Sequence, residues 1–541
     1  MGTTNSGPAA GPGSRRGSRP RPGLRTWAAG AGVVAAGAGL ALAQLAAGLI
    51  AEPRSAPVVA VGAAFIDVIP ASVREFGIRT LGTADKPVLV TGIVVLVVAL
   101  GALAGLAGWW RRPLGWVVFG VLGLVGALAA ASRPDAGAAA IVPSLLAALA
   151  AGGVLVWALR AVERTAEPAE PAGAKAARAE PGAGSAAAQA RRDLLLRGGL
   201  VVAGSLVAAG AGSLLLRRRG AVADARASFP VPRPPTTAVP AGADLRIRDL
   251  TPWRTPNDVF YRIDTALSVP VVDPASWRLR VHGMVDRPLE LSVADLRRRQ
   301  IVHRWVTLTC VSNEVGGDLA GNALWTGVLL SDLLEEAGVR PGADAVKSTS
   351  ADGWTCGTPL SALTDGRAAM LAFGMNGAPL PLEHGFPVRM VVPGLYGYVS
   401  ATKWVVDVEV TRFDRFQAYW TTRGWSAQGP IKTASRIDVP ASDAKVPAGA
   451  VTVAGVAWAQ HRGVSRVEVR AGSGPWQVAR LAGQPTKDSW RQWSWTWQAP
   501  EGRYQLEVRA FDGAGQVQSA AVAPPAPDGA SGYHAIEVTV T

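Results

Sequence analysis

Five long apolar runs without charged side chains alternate with polar segments in the first 216 residues of the chain. They occupy residues 26–51, 88–110, 113–132, 136–159 and 198–216 and are rich in Ala, Gly, Leu and Val. A helix of about 20 residues crosses a hydrocarbon layer roughly 30 Å thick. We therefore predict an α-helical transmembrane bundle, with four helices within residues 26–159 and a fifth at 198–216.

From about residue 243 the pattern changes to short segments in which apolar and polar positions alternate. Residues 277–283 and 404–410 have the period of strands, and residues 329–338 have that of an amphipathic helix ending at a glycine. This mixture predicts an α+β domain over 243–437. After Pro440 the helical pattern ends, and regularly spaced strands predict an all-β, immunoglobulin-like sandwich over 440–541. Its predicted strands are 451–458, 464–470, 476–481, 492–497, 504–511 and 534–540.

Basic residues lie beside the apolar runs and predict the orientation of the bundle. The chain carries 54 Lys and Arg against 40 Asp and Glu, a net charge of +14. Because basic loops remain cytoplasmic, we predict that the tail 1–25 and the linker 160–197 are cytoplasmic. Five spans then place the C-terminal half outside a multi-pass cell membrane protein, although residues 217–219 are basic on the wrong side. This distribution indicates a membrane rather than nucleic acid as the partner of the positive charge.

Composition excludes several kinds of site. Two cysteines are too few for a disulfide scaffold, and with five histidines they are too few for a Cys/His zinc cluster. Every histidine lies at or after His282, so a haem held by two histidines of the bundle is excluded. The Ala-, Pro- and Glu-rich composition of residues 160–190 predicts a disordered linker.

The candidate chemistry is in two segments of the C-terminal half. Cys310 follows a predicted strand and enters a glycine-rich loop, where a thiolate can meet a metal or a substrate, although a buried cysteine is commonly inert. A second segment places His384, Arg389 and Lys403 around glycine turns, and such basic side chains suit a phosphate.

These motifs resemble those of the sulfite oxidase family of molybdopterin-dependent oxidoreductases, and residues 440–541 resemble that family's immunoglobulin-like dimerisation domain. The resemblance covers about 300 of the 541 residues and does not include the bundle. The matching motifs are Leu308-x-Cys310-x-x-Asn313, Asn322-x-x-Trp325-x-Gly327-Val328, His384-Gly-x-Pro-x-Arg389 and Pro393-Gly followed by Lys403-Trp404.

The resemblance implies a molybdenum–molybdopterin cofactor, one per chain, with Cys310 as the metal's thiolate ligand. It implies further that Arg262 faces the metal and the substrate, and that the chain forms a homodimer. The residues that it implies for cofactor binding are Asn313, Asp352, His384, Arg389 and Lys403.

Two departures from the family pattern bear on the substrate. Glu314-Val315 stands where sulfite-oxidising members have an arginine, and a carboxylate there would repel an anion. Trp425 stands at the place of the family's active-site tyrosine and cannot ionise. Sulfite oxidation, with electrons passed to a separate protein or quinone-linked partner, is the favoured activity. Reduction of S- or N-oxides, such as methionine sulfoxide in proteins, and a non-catalytic envelope binding protein are the alternatives.

Two further predictions concern export and the cysteines. Arg191-Arg192, directly before the fifth run, resembles a twin-arginine export signal, displaced to an internal position. The resemblance implies that the cofactor is inserted in the cytoplasm, so the domain would have to cross the membrane folded, which such a signal permits. We also predict that Cys310 and the buried Cys356 remain unpaired, because a disulfide would consume the metal ligand.

Overall fold

The computed structural model describes residues 22–50, 55–70, 84–132, 138–166, 186–216, 219–266 and 269–541, with isolated positions between 71 and 83. The chain forms two compact units that separate at Arg217. Residues 1–21 of the expected basic tail and residues 167–185 of the expected linker lie outside the described residues, and so do Arg217 and Arg218.

The described part of the first unit is helical. Its helices are α1 (Pro22–Leu49), α2 (Pro57–Val68), α3 (Asp85–Trp110), α4 (Arg112–Ala131), α5 (Val142–Ala166) and α6 (Ala186–Leu216), and a 3₁₀ turn at Ala138–Ile141 precedes α5.

Helices α1 and α3 pack closely through glycine. A Cβ atom on Gly32 would lie 1.9 Å from the carbonyl oxygen of Gly101, and one on Gly105 would lie 2.0 Å from that of Ala28. Larger residues at these positions would force the helices apart. Small residues at helix contacts permit the van der Waals packing on which helix association in membranes depends.

Five stretches of these helices are long and apolar enough to cross a membrane: Leu24–Leu49, Asp85–Trp110, Arg112–Ala131, Ala138–Arg164 and Leu195–Leu214. They coincide with the five predicted runs and are compatible with membrane spans.

Two features of this unit differ from the prediction. Helix α2 lies between the first two apolar runs, where the sequence pattern predicted no helix. Helices α5 and α6 also occupy residues 160–166 and 186–197 of the linker, and so include both ends of the segment 160–190 that we predicted to be disordered. These ends of the linker are rich in Ala, Arg and Leu, which are strong helix formers, and low sequence complexity masked that preference.

The second unit begins with helix α7 (Arg219–Ala227), before the predicted boundary at 243. Val222 and Phe229 lie in its hydrophobic core, and the ring of Phe229 meets that of Phe386 edge to face at 5.2 Å. Arg226 Nε donates to the carbonyl oxygen of Leu380 at 2.7 Å.

Two sheets form the mixed region of this unit. The first has the order β2-β1-β10-β5-β6, and the second has the order β3-β4-β7-β8 with β9 paired to β7. The strands are β1 (Arg278–Gly283), β2 (Leu289–Ser292), β3 (Val302–Thr309), β4 (Ala320–Leu329), β5 (Ala345–Ser350), β6 (Thr355–Pro359), β7 (Met370–Met375), β8 (Ala378–Pro379), β9 (Arg389–Val391) and β10 (Val405–Thr411). Helices α8 (Val293–Arg297), α9 (Leu330–Ala337) and α10 (Ser361–Thr364) connect them, and 3₁₀ turns lie at Leu382–His384, Gly397–Val399, Phe413–Arg415 and Thr421–Arg423.

The mixed region confirms the predicted elements. Strands β1 and β10 cover the segments predicted as strands and pair in parallel, and α9 ends at Gly338, whose φ of 69° is the left-handed conformation of a helix C-cap. One core joins the two sheets, and Trp253, Trp325, Phe373 and Phe386 are among its fully buried side chains.

Two further sheets share a second core near the C-terminus. Their orders are β11-β13-β17-β16 and β12-β19-β18-β14-β15, and side chains of both, such as Val453, Trp493, Val467 and Val508, pack together between them. The strands are β11 (Ala434–Val439), β12 (Ala444–Val446), β13 (Gly449–Trp458), β14 (Val464–Ala471), β15 (Gln477–Val478), β16 (Arg480–Leu481), β17 (Arg491–Ala499), β18 (Gly502–Asp512) and β19 (His534–Val540). The immunoglobulin-like assignment stays a prediction.

One boundary and one strand near the C-terminus differ from the prediction. Residues 434–439 form β11, which pairs with β13, so the C-terminal sheets begin before the predicted boundary at 440. The segment predicted as a single strand at 476–481 is instead two short strands, β15 in one sheet and β16 in the other. Alternation of side chains locates a strand, but only long-range pairing decides the sheet to which it belongs.

Candidate functional site

A pocket of about 110 Å³ opens beside the end of β3 in the second unit. Its lining comes from six separate stretches of chain, within residues 260–265, 308–312, 350–354, 384–389, 397–404 and 420–425. Both predicted chemical segments therefore reach one pocket. Six of the eight predicted site residues line it: Cys310, Asp352, His384, Arg389, Lys403 and Trp425.

Cys310 is held at the pocket by the turn that follows β3. Its N–H donates to the Leu319 carbonyl at 2.9 Å, and its carbonyl accepts from Asn313 N–H at 3.2 Å. Burial raises the pKa of the Cys310 thiol, although hydrogen bonds from Ser312 and Val311 oppose the shift. The thiol is therefore protonated at neutral pH in the protein alone, and a metal would have to displace that proton.

The second cysteine, Cys356, has an unreactive thiol. Both cysteines are free, as predicted. Cys356 is fully buried beside Thr358, with 3.8 Å between Sγ and Oγ1, and burial raises the pKa of its thiol to about 11. An accessible thiolate is what makes a cysteine reactive, so Cys356 is an inert part of the core.

Arg389 is a buried guanidinium without a carboxylate partner. It is 5% exposed, and its nitrogens donate to the carbonyl oxygens of Met390 (3.3 Å), His384 (3.2 Å) and Ala401 (3.4 Å). In the part of the chain that the structure describes it forms no ion pair. Burial lowers the pKa of Arg389 to about 10, which leaves it charged at neutral pH. A buried, unpaired positive charge is costly, and an anion in the pocket would remove that cost.

Glycine permits the chain segments around Arg389 to approach. Gly385 has a φ of 107°, and a Cβ atom there would lie 3.0 Å from the Cβ of Arg389 and 3.1 Å from the Cα of Lys403. Trp404 adopts a φ of 50°, which is unusual for a residue with a side chain. These bends place Arg389 and Lys403 on the same pocket.

His384 is neutral at physiological pH. It is 3% exposed, and burial together with the charges of Arg389 and Lys403 lowers its pKa to about 3. Its Nε2 lies 3.2 Å from the Asn257 carbonyl oxygen. Since that carbonyl can only accept, Nε2 carries the proton and Nδ1 is an acceptor.

A buried carboxylate joins the two remaining basic groups. Asp264 Oδ2 accepts from Lys403 Nζ at 2.8 Å and from Arg262 Nε at 2.9 Å, and its side chain is 4% exposed. Burial lowers the pKa of Lys403 to about 8, although Asp264 opposes the shift. Arg262, predicted to face the metal, is partly exposed and is not among the pocket-lining residues. Its predicted role stays a prediction, and in the structure its partner is Asp264.

Asn313 and Glu314 do not line the pocket, where the sequence had led us to expect them. Asn313 Oδ1 accepts from Leu319 N–H at 2.8 Å, which closes the loop after Cys310, and Asn313 does not line the pocket. With Glu314 it lines a second, smaller cavity. The expected repulsion of an anion by Glu314 therefore has no basis in the pocket itself. Asp352 does line the pocket, and its Oδ1 accepts from Trp354 N–H at 3.2 Å.

Aromatic side chains that sequence reasoning missed form much of the pocket wall. The ring centroids of Tyr398 and Trp420 lie 6.0 Å and 6.3 Å from that of Trp425. Trp354 and Tyr261 complete the wall, and burial raises the pKa of the Tyr261 phenol, so it stays protonated. Tyr261 directly precedes Arg262, a predicted site residue, and its phenol hydroxyl could have marked Tyr261 as a further candidate.

The pocket offers a metal ion too few protein ligands to hold it without a cofactor. Among the described residues, no group of three or more His, Cys, Asp or Glu side chains is arranged to bind a metal ion. Cys310 would supply one thiolate, so a metal here needs further ligands from its own cofactor. A pterin dithiolene with a phosphate fits this requirement, because Arg389 and Lys403 offer positive charge in the same pocket.

Replacing Arg389 by lysine is expected to lower retention of a molybdenum–pterin cofactor about 10- to 100-fold, the usual effect of losing a supporting contact at a metal site. Lysine keeps the charge but lacks the planar fork of donors. Molybdenum per chain and the fluorescence of released pterin measure the effect. Arg412→Lys is the control, since Arg412 is partly exposed and its one ion pair among the described residues is with Asp414 at 2.7 Å. Full loading of the Arg389 variant would contradict this role.

A family model and individual proteins of known sequence both match this chain. Residues 266–420 match the model of the oxidoreductase molybdopterin binding domain. Chicken (Gallus gallus) sulfite oxidase is 33% identical over 322 residues, which cover 50% of this chain and 69% of that protein. Human (Homo sapiens) mitochondrial sulfite oxidase is 32% identical over 321 residues, covering 50% of this chain and 58% of that protein.

Two bacterial proteins are also similar. An uncharacterised oxidoreductase of Bacillus subtilis (strain 168) is 34% identical over 157 residues, covering 29% of this chain and 76% of that protein. Among solved structures, the sulfane dehydrogenase SoxCD from Paracoccus pantotrophus is 25% identical with a TM-score of 0.45, covering 49% of this chain and 75% of that one. This chain spans about three fifths of the length of its human relative.

Proposed function

Because the chain belongs to the sulfite oxidase family of molybdopterin-dependent oxidoreductases, we propose that it is a membrane-anchored enzyme that oxidises sulfite or a similar small oxyanion. Electrons pass to a separate partner. One observation carries this proposal: a buried thiol, Cys310, and a buried guanidinium without a carboxylate partner, Arg389, line the same pocket. The family assignment makes the chain an enzyme, so the alternative of a non-catalytic binding protein is not retained.

The residues of the pocket fit the cofactor of the family. The molybdenum–pterin group, when bound, supplies a metal that exchanges an oxygen atom and two electrons with the substrate. Cys310 would ligate the metal, since a soft thiolate suits that role. Arg389 and Lys403 would hold the phosphate, and Nδ1 of His384 would accept from a pterin N–H. Asp264 would keep Lys403 oriented and charged, because its carboxylate opposes the loss of that proton.

Trp425 has no phenol, so a tyrosine elsewhere in the pocket would have to donate a hydrogen bond to the substrate. Tyr398 and Tyr261 are the two candidates. Tyr398 already donates its hydroxyl to the Ser426 carbonyl at 2.7 Å. Tyr261 lines the pocket with a raised pKa, so it would donate a hydrogen bond to a substrate oxygen. A neutral donor holds an anionic oxygen without an additional buried charge.

A second candidate function is reduction of S- or N-oxides. Trp354, Trp420 and Trp425 give the pocket an aromatic wall, which favours a substrate with an apolar body over a small dianion. Sulfur beside aromatic rings is a favourable contact, so a thioether oxide fits this wall.

A substrate panel separates the two functions. The purified full chain should oxidise sulfite with an artificial electron acceptor, and show at least about tenfold lower kcat/KM, or 1.36 kcal/mol, for sulfoxide and N-oxide reduction with an artificial donor. The reverse ranking would establish the reductase. Inactivity in both directions by protein fully loaded with molybdenum would contradict both candidates.

We further propose that the five apolar helices anchor the enzyme in the cell membrane with the catalytic domain outside the cytoplasm. Their length and composition support this. Arg191 and Arg192 would act as an export signal that carries the folded domain across. In the structure this pair lies within helix α6, directly before its apolar stretch.

The C-terminal sheets are proposed to form an immunoglobulin-like domain that pairs two chains. Light scattering of the full chain in detergent, corrected for bound detergent, should give twice the monomer mass of 55.9 kDa. A monomer at micromolar concentration would contradict this pairing.

A further inference from the structure

A larger cavity, of about 410 Å³, lies among the helices of the first unit. Residues of five helices line it, such as Leu40 of α1, Phe65 of α2, Leu96 of α3, Phe119 of α4 and Ser144 of α5. Among the described residues, the lining contains no charged side chain, and Ser144 is its one residue with a polar side chain.

Ser144 carries a buried hydroxyl without a partner. The residue is 1% exposed, and among the described residues its Oγ has no hydrogen-bond partner. Serines elsewhere in these helices are satisfied by their own backbone: Ser132 Oγ donates to Ala129 O at 2.9 Å, and Ser205 Oγ donates to Val201 O at 2.7 Å. A buried unpaired hydroxyl is destabilising, so Ser144 points to an acceptor that comes from outside the chain.

We propose that this cavity binds an isoprenoid quinone, with Ser144 donating its hydrogen bond to a ring carbonyl oxygen. A quinone combines an apolar ring and tail with carbonyl acceptors. The inference rests on the proposed function, in which the helices lie in a membrane and electrons leave through a separate carrier. It assigns a binding site for that class of carrier and concerns binding alone.

Other membrane components fit the cavity less well. A hydrocarbon chain fills apolar space but offers no acceptor, so the Ser144 hydroxyl would stay unpaired. A phospholipid ester carbonyl can accept, but it is joined to a charged phosphate, for which the lining offers no partner. Phe65 and Phe119 line the cavity, and aromatic side chains pack favourably against a flat ring.

Glycine leaves room in the cavity wall. Gly92 of α3 lines the cavity, and a Cβ atom there would meet no atom within 4 Å. The Cβ atom of a leucine at 92 would therefore meet no neighbouring atom, and its branched end would take up space beside the cavity. Gly120 of α4 is equally open but does not line the cavity, which makes it a matched control position.

The test is equilibrium binding of decyl-ubiquinone to the full chain in detergent micelles, with decylbenzene as the ligand that lacks carbonyl groups. We expect saturable binding of decyl-ubiquinone and at least tenfold weaker binding of decylbenzene. Ser144→Ala should weaken quinone binding about 3- to 10-fold, which is the range for one net hydrogen bond, and Gly92→Leu should abolish it. Ser205→Ala and Gly120→Leu should bind as the unchanged chain does.

The midpoint of thermal unfolding gives a second test, in which Ser144→Ala is expected to have opposite effects without and with quinone. Without quinone, Ser144→Ala should melt at a higher temperature than the unchanged chain, because it removes the unpaired hydroxyl. With quinone, its midpoint should rise by less. Equal quinone affinity in the Ser144 and Gly92 variants, or equal binding of decylbenzene, overturns the inference.

Molybdenum content, measured in the same samples, separates this inference from the catalytic proposal. Full loading without quinone binding overturns the quinone site alone. Quinone binding by a chain that takes up no molybdenum overturns the catalytic proposal and leaves the quinone site standing.

Discussion

Replacing Cys310 by serine is expected to lower turnover with an artificial electron acceptor by more than about 100-fold, the upper end of the loss found when only a supporting contact of a metal site is removed. The serine hydroxyl is not ionised at neutral pH and is a harder donor than a thiolate, so it is a poor ligand for this metal. Turnover and molybdenum per chain, measured on the same preparation, check the prediction.

Cys356→Ser is the matched control for this experiment. Cys356 lies 3.8 Å from the hydroxyl of Thr358, so a serine there finds a hydrogen-bond partner in a fully buried position. This variant should keep its molybdenum and its turnover. Equal activity of the Cys310 and Cys356 variants would show that Cys310 is not the metal ligand.

The double variant Arg191→Lys and Arg192→Lys is expected to retain the catalytic domain, folded and protected from external protease, on the cytoplasmic face. Lysine preserves the positive charge that orients ordinary helices, so only recognition of the arginine pair itself is lost. Protease accessibility in intact spheroplasts and molybdenum content measure where the domain lies and whether it is loaded.

The same exchange at Arg111 and Arg112 is the control, because this pair also flanks apolar helices, at the junction of α3 and α4. It should leave the domain accessible from outside. An accessible, molybdenum-loaded domain in the Arg191 and Arg192 variant would show that export does not use this pair.

Much of the site was predictable because its ligand-like residues lie in compact motifs. Cys310 directly follows a strand, and His384 and Arg389 lie five residues apart around Gly385, so local sequence indicated both segments. The partner of Lys403 was not predictable. Asp264 lies 139 residues away along the chain, and an ion pair over that distance depends on how the sheets bring the two segments together.

Asn313 and Glu314 show where motif reasoning reaches its limit. Both follow Cys310 closely, yet Asn313 closes the loop onto Leu319 and Glu314 lines a different cavity. Adjacent residues in a tight turn point in different directions. Proximity in sequence to Cys310 therefore does not place a side chain in the pocket.

The sequence by itself determined the features that depend on local pattern. These are the five apolar helices, the strands β1 and β10, helix α9, and the free thiol of Cys310, since periodicity and hydrophobicity act within a few residues. Only the tertiary structure decided the features that depend on long-range pairing and burial: the pairing of β11 with β13, the division of 476–481 between two sheets, and the unpartnered hydroxyl of Ser144. The physical reason is that strand partners and hydrogen-bond partners far apart in sequence become neighbours only when the chain has closed its core.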